Sequence, residues 1–514
     1  MRVPTARPSA ITPVHPPLFG AWFILFLLSQ NLDEVSIGDA LPVVAIAAVG
    51  ATIATLAAAL ILRGMRRGAL VAGAATIGFF AYGHVANALQ PIGVPGWLQQ
   101  VGWLALLVVA LIVAVKGGDR TLVPVTRGLN VVALVLVVTA LATILPHELA
   151  RPARGVETVA VPGAGTQSGA KRDIWYLIFD RYALASELKK AYGIDNPLPQ
   201  WLTDHGFYVA ADSHANYVKT VLSLASSLNM TYLDDVAKRM GADSDDHGPI
   251  NDMLHAHALA QFLKPQGYEY VHVGGRFQPT NVNPYADENP TPDTASDFSS
   301  AVVDTSVIPA LTRRFGITKS TPSRERYYSA GQFQFRVLDS LVERTGKPRL
   351  VFAHLLIPHP PYVYAADGSF VPTEDDPHRM AQQYGAMITY LNGRIEALMT
   401  KLLALPEDRR PIIVLQADEG PYPARYNANT RTFDWSKATN DELRVKYGIF
   451  NSYYLPGVGN SGLYPSITPV NSFRLILSKY FGANLPLLPD RIYTSREKFR
   501  PYDMTDVTDR MKQP

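Results

Sequence analysis

Hydrophobic and polar positions follow two regimes that meet near residue 150 of the 514-residue chain. Before that point the apolar runs are long and nearly free of charge; after it they shorten and alternate with polar stretches. Four early runs, Leu41–Leu62, Ala69–Leu89, Trp97–Val115 and Leu129–Leu145, approach the roughly 20 residues that cross a hydrocarbon core. A shorter run, Leu18–Gln30, predicts a tilted span or an interfacial helix, with a signal peptide as the competing reading. The pattern therefore predicts a transmembrane domain of about five hydrophobic helices over 1–148.

The soluble regime has a different period. Short apolar runs at Ile174–Phe179, Tyr268–Val273, Leu350–Ile357, Ile412–Gln416 and Ile449–Leu455 predict strands. Between them, Pro199–His205, Val221–Met230, Ala330–Glu343 and His378–Leu403 carry helical patterning. Strands alternating with helices predict an α/β domain whose largely parallel sheet is covered by helices on both faces. Its expected extent is 172–495, after a Gly/Pro/Ala-containing linker at 149–171 and before a tail at 496–514.

Charge adds a direction. Arg63, Arg66 and Arg67 lie between the second and third runs, and Lys116, Arg120 and Arg127 between the fourth and fifth. The opposite connections hold Asp33, Glu34 and Asp39, or no charge. Short loops rich in Lys and Arg stay cytoplasmic, so the chain beyond Leu145 is expected outside. Lys+Arg 47 against Asp+Glu 44 leaves no basic excess for a nucleic-acid partner. The absence of cysteine excludes disulfides, zinc–thiolate sites and a Cys nucleophile. His84 is the sole ionisable residue deep in a predicted span, which fits poorly with a transporter.

In parallel sheets chemistry gathers at the carboxyl ends of strands. The first strand runs into Asp180-Arg181, the Leu350–Ile357 strand into Pro358-His359-Pro360-Pro361-Tyr362, and the Ile412–Gln416 strand into Asp418-Glu419-Gly420. Two carboxylate groups and a histidine on three strand ends suit a hard divalent cation and an anionic ligand. Each alone has a plainer reading: Asp180 as a helix cap, Asp418-Glu419-Gly420 as a turn. Thr220 opens the predicted helix of Thr220-Val-Leu-Ser223, where N–H groups favour a phosphoryl oxyanion; capping is again the plainer role. Lys219 and Arg181 are candidate anion-binding groups, with solvated or ion-paired surface charge as the alternative. His354, inside an apolar strand, reads as a hydrogen-bonded core residue. His214, His255, His257 and His272 show no convincing ligand spacing.

The order of these motifs resembles the alkaline phosphatase superfamily. Within it, the membrane-bound sulfatase-like branch of lipoteichoic-acid synthases and phosphoethanolamine or phosphoglycerol transferases is most similar. The resemblance covers about Asp173 to Tyr493 and extends to the membrane half. It implies Asp180, Thr220 and Asp418 as metal ligands, Thr220 as the nucleophile and His359 as the group contacting the transferred phosphate. Glu419 departs from it, since a histidine is usual there, and a second late histidine has no counterpart. No Cys or Ser-x-Pro-x-Arg signature surrounds Thr220, which excludes formylglycine chemistry. With Glu419 as a fourth ligand, an oxygen-rich site would prefer Mn²⁺ or Mg²⁺ to Zn²⁺.

The resemblance implies a metal-dependent transferase or hydrolase of the bacterial inner membrane. It would take a phosphate-linked headgroup from a membrane lipid or lipid-linked donor to a cell-envelope glycan or lipid. The Asp418-Glu419 departure leaves a second reading, a catalytically degenerate binding or scaffolding protein of the envelope.

Overall fold

The computed structural model describes residues 11–32, 35, 37–89, 94–150, 171–292, 297–317, 322–428, 433–496 and 500–511. The chain divides into two compact units, one of Met1–Ala153 with Ala295–Ser323, the other of Arg154–Thr294 with Arg324–Pro514. Most of the 149–171 segment, and the charges of Asp33 and Glu34, lie outside the described residues.

The first unit is helical: α1 (His15–Ser29), α2 (Ile37–Ile61), α3 (Met65–Leu89), α4 (Gly96–Lys116) and α5 (Asp119–Ala150). Four of these are long and apolar enough to cross a bilayer, and α1 is a shorter apolar helix. Their apolar side chains face outward, as at Ile46 (72% exposed), Leu60 (80%) and Leu104 (62%). A water-soluble bundle would bury such residues; a lipid-facing one displays them. Arg66 at the start of α3 pairs with Asp119 at the start of α5 (3.0 Å), so the two basic connections lie on one side of the bundle.

An insertion from the soluble half, residues 295–323, folds into this unit as two short helices, Asp297–Asp304 and Ile308–Arg314. Phe298 and Val302 pack with Ile24, Leu28, Ala140 and Ile144. The Gly83 N–H donates to the Thr305 carbonyl, and the Val307 N–H to the Phe79 carbonyl, both at 2.9 Å. Only glycine permits this approach, since a Cβ at 83 would lie 2.5 Å from the Thr305 oxygen. Hydrophobic periodicity carries no sign of the insertion, whose short helices resemble ordinary domain helices in sequence.

The second unit is built on a six-stranded sheet: β1 (Ile174–Phe179), β2 (Tyr208–Val209), β3 (Glu269–Val273), β4 (Arg349–Leu355), β5 (Ile412–Gln416) and β6 (Asn451–Tyr454). The order is β2-β6-β5-β1-β4-β3. β5, β1, β4 and β3 run parallel, while β6 pairs antiparallel with β5 and with β2. Every β1 side chain is buried, yet the period of two still sorts the faces. Trp175, Leu177 and Phe179 join one core with Val351 and Leu415; Ile174, Tyr176 and Ile178 join the other with Phe352 and Val414. β2, with two residues, is too short to register as alternation.

Candidate metal centre

Three adjacent parallel strands, β4-β1-β5, bring their carboxyl ends together. On the central strand, Asp180 follows Phe179 directly; its N–H donates to the Leu355 carbonyl (2.9 Å), so pairing with β4 continues to the carboxylate itself. Arg181 then turns the chain with φ +64°, a left-handed conformation that side chains other than glycine seldom adopt. Such strain is held where the surrounding structure requires it, often at functional sites.

β4 contributes His354, paired with Ile178 in register. Parity places it on the face of Leu350 and Phe352, as the last position of β4 on that face. β5 contributes Asp418, two residues past Gln416. Asp180, His354 and Asp418 each offer a ligand atom, all within 4.8 Å of one another. All three are buried, at 2%, 1% and 2% exposure.

Several polar atoms of this cluster make no hydrogen bond among the described residues. Asp180 Oδ1, both Asp418 carboxylate oxygens and His354 Nε2 are buried without a hydrogen bond among the described residues. Each unmade bond at a buried charged group costs more than about 1–3 kcal/mol, and here they gather around one point.

Electrostatics agree. Burial raises the Asp418 carboxyl to about 7, and the facing Asp180 charge adds to the rise. The Thr220 hydroxyl tempers it, though without a well-aligned hydrogen bond. Burial opposes the Asp180 charge too, but His359, His354 and Arg181 outweigh it and hold that carboxyl below its ordinary value. For His354, burial disfavours the imidazolium, yet Asp180 and Asp418 together raise it.

The Thr280 hydroxyl anchors the His354 ring. Nδ1 lies 2.8 Å from Thr280 Oγ1, and Thr280 donates its own proton to the Phe277 carbonyl (3.3 Å). With Nδ1–H donating to Thr280, Nε2, 3.6 Å from Asp180 Oδ2, would present its lone pair to a cation.

Thr220 is the first residue of the Thr220–Asn229 helix, with extended Lys219 as its N-cap residue. His359 lies beyond β4, its Nδ1 hydrogen-bonded to the Pro360 carbonyl. Burial, helped by the Arg181 charge, lowers its imidazole to about 4, so it is neutral at physiological pH. Arg181, His359, Asp180, Asp418 and Thr220 thus all belong to one neighbourhood.

Glu419 is engaged differently. Its Oε1 lies 2.8 Å from Lys446 Nζ and 3.2 Å from Arg181 Nε. Lys446 is fully buried, and burial pushes its ammonium down to about 8 while Glu419 pulls it upward. Tyr422 receives both cations on its ring, Lys446 at 3.6 Å and Arg181 at 4.2 Å from the centroid. Gly420 lets the two turns close, because a Cβ there would lie 2.3 Å from the Val445 carbonyl. Beside Arg181 a cavity of about 240 Å³ opens, lined by Tyr192, Tyr362, Tyr384, Tyr422 and Asp376.

His354 and Lys446 are the members that sequence patterning passes over. The available signal was parity: a histidine at the last position of one face of a buried parallel strand points where ligands bind.

Residues 194–450, half of the chain, match the sulfatase family. The chain therefore belongs to the sulfatase family, and through it to the alkaline phosphatase superfamily. No curated protein sequence matches it. Among solved structures it is similar to the C-terminal periplasmic domain of EcEptC from Escherichia coli. That likeness has 12% identity, 69% of this chain, 97% of the other and a TM-score of 0.44. It is also similar to the integral membrane lipooligosaccharide phosphoethanolamine transferase A of Neisseria meningitidis, at 11% identity, 91% of this chain, 94% of the other and a TM-score of 0.40. The soluble domain of that transferase aligns at 11% identity, 62% and 92% coverage and a TM-score of 0.41.

Proposed function

We propose that this chain is a membrane-anchored, metal-dependent phosphotransferase that moves a phosphate-linked headgroup from a bilayer lipid to an acceptor in the bacterial cell envelope. The observation that carries the reading is the set of buried, unpartnered oxygen and nitrogen atoms of Asp180, His354 and Asp418 beside the Thr220 hydroxyl. The similar Neisseria meningitidis protein is a lipooligosaccharide phosphoethanolamine transferase, an activity of the same kind.

Asp180, His354 and Asp418 would hold one divalent ion. When bound, it supplies Lewis-acid polarisation of the phosphate and lowers the pKa of the nucleophilic hydroxyl. With an imidazole among the ligands, Mn²⁺ and Zn²⁺ suit the site better than Mg²⁺. This departs from the oxygen-only set that Glu419 would complete, because Glu419 is neutralised by Lys446 and Arg181.

Thr220 Oγ attacks phosphorus at the amino end of its helix, where N–H groups favour the phosphoryl charge. The Oγ–P bond forms, the bond to the lipid alcohol breaks, and the threonine proton ends on that alcohol. Arg181, over the neighbouring cavity, binds a phosphoryl oxygen. In the second half, the acceptor hydroxyl gives its proton to neutral His359 at Nε2, Nδ1 being committed to Pro360. The acceptor O–P bond forms, the threonine O–P bond breaks, and His359 returns the proton to Thr220.

The membrane side follows from the basic connections at 63–67 and 116–127, which favour the cytoplasm. The insertion at 305–307 meets α3 at Phe79–Gly83, toward the end of that helix opposite Arg66.

Thr220→Ala tests the chemistry. The variant should fold and bind metal but lose turnover, and only the wild type should gain a phosphate-ester mass on the Thr220 peptide with donor lipid. Near-wild-type turnover in Thr220→Ala sinks the nucleophile assignment. Wild-type protein that retains no divalent metal would favour the degenerate binding module instead.

A further inference from the structure

We propose that the first unit carries a phospholipid site, formed by α3, α4 and the Ile308–Arg314 helix. These elements enclose a groove of about 360 Å³, whose apolar lining includes Gly78, Phe79, Leu104, Leu107, Ala310 and Leu311. Among the described residues, none that lines it is acidic. An alkyl chain fits such a surface, and an aqueous solute does not.

Two polar features single out a phosphate-bearing lipid. Arg314 lies on the lining at the last turn of its helix, exposed and with no carboxylate partner among the described residues. Trp103 also lines the groove, and its indole N–H is buried without an acceptor. A guanidinium and an N–H donor at one apolar groove match phosphate and ester oxygens. A neutral diacylglycerol would leave Arg314 without a partner.

The surroundings set the depth. Phe315 and Ile317, just beyond Arg314, are 73% and 74% exposed. Exposed apolar side chains beside a cation suit a segment seated in the interfacial layer, with the charge at phosphate level. The groove lies toward the α3 end that meets 305–307, away from Arg66, so the lipid belongs to the outer leaflet. The insertion that forms its roof is continuous with the second unit at both ends. Its return residue, Arg324, bonds Asp375 (2.7 Å) and the Tyr362 carbonyl (2.7 Å), and both residues line the cavity beside Arg181.

The inference rests on reading α3 and α4 as membrane spans, and bromolipid quenching separates the two ideas. Full-length wild type, Trp103→Phe, Arg314→Gln and Gly78→Leu would be titrated in detergent with brominated phosphatidylglycerol or brominated diacylglycerol. Phosphatidylglycerol should quench the Trp103 component saturably, diacylglycerol should not, and millimolar inorganic phosphate should not reverse it. Arg314→Gln, an exposed change, should weaken the effect about tenfold or more, and Gly78→Leu should abolish it by filling the groove. Equal quenching by both lipids, unsaturable quenching, reversal by free phosphate or indifference to Arg314→Gln would each overturn the site while leaving the spans intact. If neither lipid quenches Trp97 or Trp103, the membrane reading falls as well.

Discussion

At the scale of single residues, His354 and Glu419 stand in surroundings that their sequence neighbourhoods do not show. An apolar strand surrounds His354, yet its Nε2 faces Asp180 and makes no hydrogen bond among the described residues. Glu419 follows a predicted ligand, yet its Oε1 is committed to two cations. Metal-stripped His354→Ala should therefore fail to bind Mn²⁺ or Zn²⁺ by titration calorimetry, while Glu419→Gln still binds. Thr280→Val, which frees the His354 ring, should weaken binding by about 10–100-fold. The reverse order, with Glu419→Gln losing metal and His354→Ala keeping it, would restore Glu419 as the ligand. Glu419→Gln should instead cost stability, about 3–5 kcal/mol, because buried Lys446 loses its counter-charge.

Among the elements, β3 carries a pH response of its own. His272 Nε2–H donates to the Thr280 carbonyl (2.8 Å), leaving Nδ1 to accept the Tyr270 hydroxyl (2.9 Å). Tyr270 in turn accepts from His257 Nε2 (3.2 Å), whose Nδ1 accepts the Ala260 N–H (3.2 Å). The chain is satisfied only with both rings neutral. Burial accordingly lowers His257 to about 3 and His272 to about 4, against 6.5 for the unfolded side chain. Between these values the unfolded state binds more protons, so stability falls as pH drops below 6.5 toward 4. The slope is about 1.4 kcal/mol per pH unit for each histidine. Hydrogen exchange at β3 and the Ala258–Leu263 helix should accelerate across this window, and His272→Gln should shallow the dependence. A pH-independent rate of opening there would rule the cluster out as the cause.

For the whole molecule, the testable statement is sidedness. Protease added to intact spheroplasts should digest the chain beyond residue 150 and spare the connections at 63–67 and 116–127. Complete protection of the second unit would reverse the proposed orientation. Digestion within 295–323 should be slower than elsewhere in the soluble half, since that insertion packs in the first unit.

The apolar runs, the parallel strands and the acidic strand ends were legible in the chain itself, because each rests on local periodicity or on a charge next to a strand. Asp180 and Asp418 belong to that category. What required tertiary structure were relations between distant segments: the 295–323 insertion against α3, the antiparallel edge strands, and the engagement of Glu419 by Lys446 and Arg181. Sequence position lists a carboxylate or an imidazole without its partners. Whether such a group faces a cation, another side chain or a metal-sized gap is decided by packing, since burial removes the water that would otherwise satisfy it.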